Sequence, residues 1–188
     1  MQILGIVGSP RWQGNTHILV SKILDGAKDA GATVELLFLG GMTIRECDGC
    51  HACWKGKGCS KNDDMSELYE KIIASDALVF GTPVYWYGPT ALLKGFVDRF
   101  SYFNCPENRA KIRGKSAVIA IPYEEKSPEN AKLLLTFFEK SIAYLEMHLV
   151  GMVIVPGVYE KGEILKKRES LAKGYELGRS LVMGKLPR

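Results

Sequence analysis

Gln2-Ile3-Leu4-Gly5-Ile6-Val7 runs into Gly8-Ser9-Pro10-Arg11-Trp12-Gln13-Gly14-Asn15-Thr16, and a helical pattern follows with Ile18, Leu19, Ile23, Leu24 and Ala27. An apolar run of strand length, a turn-rich loop and an apolar periodicity close to 3.6 predict a strand, a tight loop and a helix over Thr16–Ala30. Gly31 stops that helix. The pattern then repeats. Thr33–Leu39 and Ala77–Phe80 read as strands, each ended by glycine (Gly40-Gly41, Gly81), and Met65–Ile73 reads as a helix. In the second half, Ser116–Ile121 and Leu149–Val155 read as strands; Thr90–Phe103, Pro128–Leu145 and Ile164–Val182 read as helices. Five strands alternating with helices predict an α/β fold, a doubly wound parallel sheet covered on both faces.

The chain has 188 residues, which suits one domain spanning 1–188. Apolar residues make up 46% and charged residues 24%, which excludes a disordered chain and a disulfide-dense miniprotein. The net charge of +4 is compatible with an anionic ligand but does not call for nucleic acid. No apolar run approaches the ~20 residues of a membrane span, and Met1–Pro10 lacks the pattern of a signal peptide. The expectation is a cytoplasmic protein with no membrane partner.

The loop after the first strand offers Ser9, Asn15 and Thr16 as hydrogen-bonding side chains, and Arg11 adds a planar cation. The helix behind it supplies unpaired N–H groups and a partial positive charge. Together they suit a phosphate. The loop is neither Gly-x-Gly-x-x-Gly nor Gly-x4-Gly-Lys-Ser/Thr, so a dinucleotide fold and a nucleoside triphosphatase are disfavoured. The plainer alternative has Asn15 as a helix cap and Ser9-Pro10 as a simple turn. The third strand ends in Gly81-Thr82-Pro83-Val84-Tyr85-Trp86-Tyr87-Gly88-Pro89. With strand order 2-1-3-4-5, the two loops flank the crevice where strand order reverses, the usual ligand position in such sheets. Tyr85, Trp86 and Tyr87 suit a planar ring; as three adjacent aromatics they cannot all point inward, so core and interface roles stay open.

Gly8-Ser9-Pro10-Arg11…Gly14-Asn15-Thr16, with Thr82-Pro83-Val84-Tyr85…Gly88…Leu93-Lys94-Gly95-Phe96-Val97-Asp98-Arg99-Phe100, resembles the NADPH-dependent FMN reductase branch of the flavodoxin-like superfamily. The resemblance implies noncovalent FMN, with Ser9, Arg11, Asn15 and Thr16 at its phosphate and Pro83, Val84, Tyr85, Trp86 and Gly88 along its ring. It gives Lys94–Phe100 a structural role.

Between Gly40 and Asn62 lies a long irregular stretch holding Cys47-x2-Cys50-x2-Cys53-x5-Cys59. Close thiols in an intracellular chain point to metal or redox chemistry. Four thiolates are the usual ligands of a [4Fe–4S] cluster; thiols that simply pack or form disulfides are the second reading, and zinc, which more often takes two separated pairs, is the third. The compact spacing resembles the iron–sulfur flavoproteins of the same superfamily, which implies a [4Fe–4S] cluster beside FMN. Cys105 and His51 read as ordinary residues.

These readings predict a flavin-dependent oxidoreductase fed by ferredoxin or NAD(P)H and reducing a small-molecule acceptor. The alternatives are a cluster-free NAD(P)H-dependent FMN or quinone reductase and a non-catalytic binding module. No catalytic acid or base is identifiable. A flat ring needing a lid, and exposed aromatics, predict a homodimer or homotetramer.

Overall fold

The computed structural model describes residues 1–184; the last four positions of the predicted domain lie outside the described residues. Strands β1 (Gln2–Val7), β2 (Thr33–Phe38), β3 (Ala77–Gly81), β4 (Ser116–Pro122) and β5 (His148–Val155) form one parallel sheet in the order β2-β1-β3-β4-β5. This is the predicted flavodoxin-like arrangement. The central strands are buried on both sides, so their side chains split by parity. Leu4, Ile6, Leu78, Phe80, Ile119 and Ile121 enter one apolar layer; Ile3, Val7, Val79, Val118 and Ala120 enter the other.

The first layer is covered by α2 (Met65–Ala74), α3 (Ala91–Asp98) and α6 (Lys132–Tyr144), with α4 (Ser101–Asn104) and α5 (Pro106–Arg109) between the last two in sequence. The second is covered by α1 (Asn15–Asp29) and α7 (Arg168–Met183). The predicted helix over Thr90–Phe103 is divided. After Asp98 the turns tighten to three-residue bonds, Phe100 N–H to Val97 O at 2.9 Å and Tyr102 N–H to Arg99 O at 3.1 Å, and Arg99 is buried. The two later predicted helices open with 3-10 turns, Pro128–Ala131 and Glu163–Lys166.

Helices α1 and α7 approach backbone to backbone. A Cβ added to Gly26 would fall 1.9 Å from the Tyr175 carbonyl oxygen, and one added to Gly178 would fall 1.9 Å from that of Ile23. Gly178→Ala should therefore destabilise the fold by about 2–3 kcal/mol through overpacking. Gly95→Ala, in a helix where an added Cβ meets nothing within 4 Å, should stabilise it by roughly 0.5–1 kcal/mol. Urea unfolding of the two variants reads both signs.

Candidate functional site

Helix α1 starts behind Gly14, and no side chain caps it. Its first N–H groups and the positive end of its dipole are therefore available to an anion. Ser9 and Thr16 are buried beside it, and the Ser9 hydroxyl accepts the Arg11 N–H at 3.2 Å. Asn15 is not the cap. It lies inside the helix, and its amide pins the loop after β5: Nδ2 donates to Glu160 O at 2.9 Å and Val158 O at 3.4 Å, and Oδ1 accepts the Ile164 N–H at 3.2 Å. Arg11 reaches the same loop, with Nη1 donating to Tyr159 O at 2.8 Å and its guanidinium 5.3 Å above the Tyr159 ring centroid. Glu163 braces that loop by accepting the N–H groups of Tyr159 and Glu160, which hold its carboxyl below the usual carboxylate range.

The loop after β3 is tied to the first loop by Thr90. Its hydroxyl donates to Gly8 O and accepts the Leu93 N–H, capping α3, while its own N–H donates to Thr82 Oγ1 at 3.2 Å. Beyond Pro83 the chain makes a tight reversal, with Tyr85 and Gly88 exchanging two backbone hydrogen bonds of 2.9 Å. Trp86 and Tyr87 occupy it at φ 49° and 63°, a left-handed conformation that bulky residues adopt at a cost. Trp86 sits at the tip, 97% exposed.

Ser9, Arg11, Asn15, Thr16, Pro83, Val84 and Tyr85 thus line one cleft. Trp86 and Gly88 are not among its lining residues. Tyr123, Glu124, Glu125, Val158 and Tyr159 are, and sequence reasoning missed them. The available signal was position: they follow the carboxyl ends of β4 and β5, where parallel sheets present ligand loops.

The cysteine loop leaves β2 and folds back over α2 and α4. All five cysteines are free thiols. Cys47, Cys50, Cys53 and Cys59 line one cavity with Tyr69, Arg99, Ser101 and Tyr102. Among the described residues, this cavity shares no lining residue with the cleft. Also among the described residues, no three His, Cys, Asp or Glu side chains are gathered tightly enough to hold a metal ion. Burial pushes the Cys53 thiol up, with Cys105 and Cys59 adding to the effect.

Polar ties hold the loop. Arg99, 1% exposed, places Nη1 2.7 Å from Asp63 Oδ2 and Nη2 3.2 Å from Asp63 Oδ1. Nη1 also donates to Arg45 O at 2.9 Å, and Nη2 donates to Cys59 Sγ at 3.2 Å. Asp63 accepts the N–H groups of Arg45 and Met65, and Asp64 accepts that of Thr43. Nearer the tip, Lys61 donates to Asp48 at 2.6 Å; with a Cys50 contact this holds the Asp48 carboxyl down to about 2. Burial works to raise the Asp63 carboxyl, but Arg99 and the backbone donors outweigh it, and the carboxyl lies below its ordinary value.

The profile of the NADPH-dependent FMN reductase family matches residues 1–156. The chain belongs to this family. An iron-sulfur flavoprotein of Archaeoglobus fulgidus is 32% identical over 87% of this chain and 81% of its own. A putative NAD(P)H-dependent FMN-containing oxidoreductase of Bacillus subtilis is 28% identical over 94% of this chain and 96% of its own. Among solved structures, an NAD(P)H:quinone oxidoreductase from Methanothermobacter marburgensis superposes with a TM-score of 0.73 at 20% identity, over 96% of this chain and 94% of its own. That likeness bears on fold alone. As a family member the protein is a flavin-dependent oxidoreductase that uses FMN. Among the described residues, no helix is long and apolar enough to cross a membrane.

Asp63→Ala should cost about 3–5 kcal/mol in urea unfolding, because it strands a buried guanidinium. The depressed Asp63 carboxyl also sets a sign with pH. Its stabilisation is complete above the unfolded carboxylate value of about 3.9 and is lost as pH falls through the folded value. Stability should therefore fall more steeply in this acid range for the wild type than for Asp63→Asn.

Proposed function

We propose that this oxidoreductase binds FMN in the cleft at the switch point and holds one [4Fe–4S] cluster in the cysteine loop. Electrons would pass from a reduced donor such as ferredoxin or NAD(P)H to a small-molecule acceptor. Ser9, Arg11, Thr16 and the uncapped start of α1 take the phosphate. Asn15 supports them by pinning the loop after β5 and exposing the first N–H groups of α1. Pro83, Val84 and Tyr85 lie along the ring; Trp86 and Gly88 shape the turn beyond it. Cys47, Cys50, Cys53 and Cys59 are the cluster ligands.

The cluster reading is carried by one observation: four thiols from thirteen consecutive positions of an irregular loop line a single cavity. By chemistry, four thiols and a buried guanidinium that donates to one of the sulfurs suit an anionic, thiolate-held centre, and binding would draw the sulfurs closer together. When bound, FMN supplies transfer of electrons in pairs or singly, and the cluster supplies single-electron transfer. The chain's own contribution is to bind and orient. Fixed N–H donors neutralise the phosphate, Thr90 holds the two flavin loops in register, and Arg99 with Asp63 fixes the base of the cysteine loop. Glu124 and Glu125 at the cleft add negative charge beside it.

The Bacillus subtilis relative's name favours a second reading, a cluster-free NAD(P)H-dependent reductase. Anaerobic reconstitution separates the two. The first reading expects a brown protein with about four iron atoms per chain, and Cys50→Ser should lose iron while retaining FMN. Wild-type protein that takes up no iron leaves the second reading. The flavin site has its own test: Ser9→Ala with Thr16→Val should weaken FMN binding by about 2–3 kcal/mol through two lost hydroxyl contacts, read by fluorescence titration. Unchanged affinity would overturn the phosphate assignment.

The exposed Tyr85–Tyr87 turn supports a homodimer or homotetramer, in which a second copy covers those rings. Trp86→Ser should then shift sedimentation toward the 20.8 kDa monomer.

A further inference from the structure

Arg99 makes more contacts than a loop anchor needs. Its guanidinium is buried, and both terminal nitrogens are engaged: Nη1 by Arg45 O and Asp63, Nη2 by Asp63 and by Cys59 Sγ. Nε is also buried, yet among the described residues it has no hydrogen-bond acceptor. A buried N–H without an acceptor is costly, and here it belongs to a permanent cation. Arg99 lines the cavity that holds the four cysteines, as does Tyr69, whose ring centroid lies 6.0 Å from the guanidinium carbon. The cavity wall thus presents a fixed cation with one N–H already on a ligand sulfur.

We infer that Arg99 is a positioning and tuning residue for the thiolate-held centre: held by Asp63, it donates through Nη2 to Cys59 Sγ. The inference rests on the cluster reading given above. Sulfur-rich clusters carry net negative charge that grows on reduction, and hydrogen bonds to their sulfurs favour the reduced form. Arg99 therefore holds the centre in place and raises its reduction potential. Asp63 fixes the orientation of the fork, which a lysine cannot reproduce because an ammonium lacks the planar, multiply donating geometry.

The test uses anaerobically reconstituted holoprotein. In wild type labelled with 15N-arginine, pulsed EPR of the reduced cluster should detect a guanidinium nitrogen coupled to the cluster spin. Arg99→Lys keeps the charge and should retain FMN, but the midpoint potential of the cluster should fall. Loss of one charge-assisted hydrogen bond corresponds to about a tenfold change in the reduction equilibrium, which is ~59 mV for a one-electron couple. Asp63→Asn with Arg99→Met removes both buried charges together, so neither is stranded, and should also lower the potential, because the hydrogen bond to Cys59 Sγ is lost while the two charge changes offset each other. FMN content and circular dichroism report folding of each variant, and the 15N measurement needs no variant at all. Full iron in the wild type with no arginine coupling, or with an unchanged potential in a folded variant, overturns this inference and leaves the cluster reading standing. Wild-type protein that binds no iron overturns both.

Discussion

Parallel strands cannot be joined by tight turns. Each must be returned to the same end of the sheet by a crossover, and each crossover needs an apolar face to cover. In this chain that constraint places the carboxyl ends of all five strands on one rim. The loops after β1, β3, β4 and β5 then converge on one cleft without any long segment being recruited to build it. The pairing of β1 with β3 brings Gly8 and Gly81 side by side, joined by a 2.8 Å backbone hydrogen bond. Thr90 extends this link into side-chain contacts, so the two loops are fixed to each other as well as to their strands.

The cysteine loop is ordered by a different kind of force. It has little regular structure and presents mostly exposed residues, so apolar burial does little for it beyond Met42, Ile44 and Cys59. Its backbone groups are taken up by charged side chains instead: Asp63, Asp64 and Arg99 engage Arg45 and Thr43 at its base. A buried ion pair of this kind adds modest net stability once desolvation is counted, but it is highly directional. It therefore suits a segment that must hold sulfur atoms in a defined place.

The alternation of apolar runs with Gly-rich loops made the sheet legible in the sequence, because parallel strands buried on both faces are short continuous apolar stretches with sharp ends. That Ser9, Thr16 and Pro83–Tyr85 would come together in one cleft was legible for the same reason, since they sit at those ends. Arg99 was not: it lies within an apolar helical pattern, and its partners are Asp63, 36 positions away, and the carbonyl of Arg45, 54 positions away. Asn15 looked like a cap or a phosphate ligand because its local context is a helix start, yet its partners lie at positions 158–164. The exposed tip position of Trp86 was not legible, because it is set by two consecutive left-handed residues that no aromatic pattern signals. Local pattern reports what neighbours in the chain do; long-range polar partners leave almost no periodic trace.

The close glycine seam between α1 and α7 joins residues 15–29 to residues 168–183 across one face of the sheet. During synthesis the first of these helices emerges long before the second, by on the order of ten seconds at ordinary elongation rates. Throughout that interval Leu19, Ile23 and Ala27 lack the helix that covers them in the finished fold, even after the last strand has emerged. A nascent chain thus carries an incomplete apolar layer until residues 168–183 have left the ribosome. Closure of that layer is a late step of its biogenesis, and the interval before it is when a holdase has the most to protect.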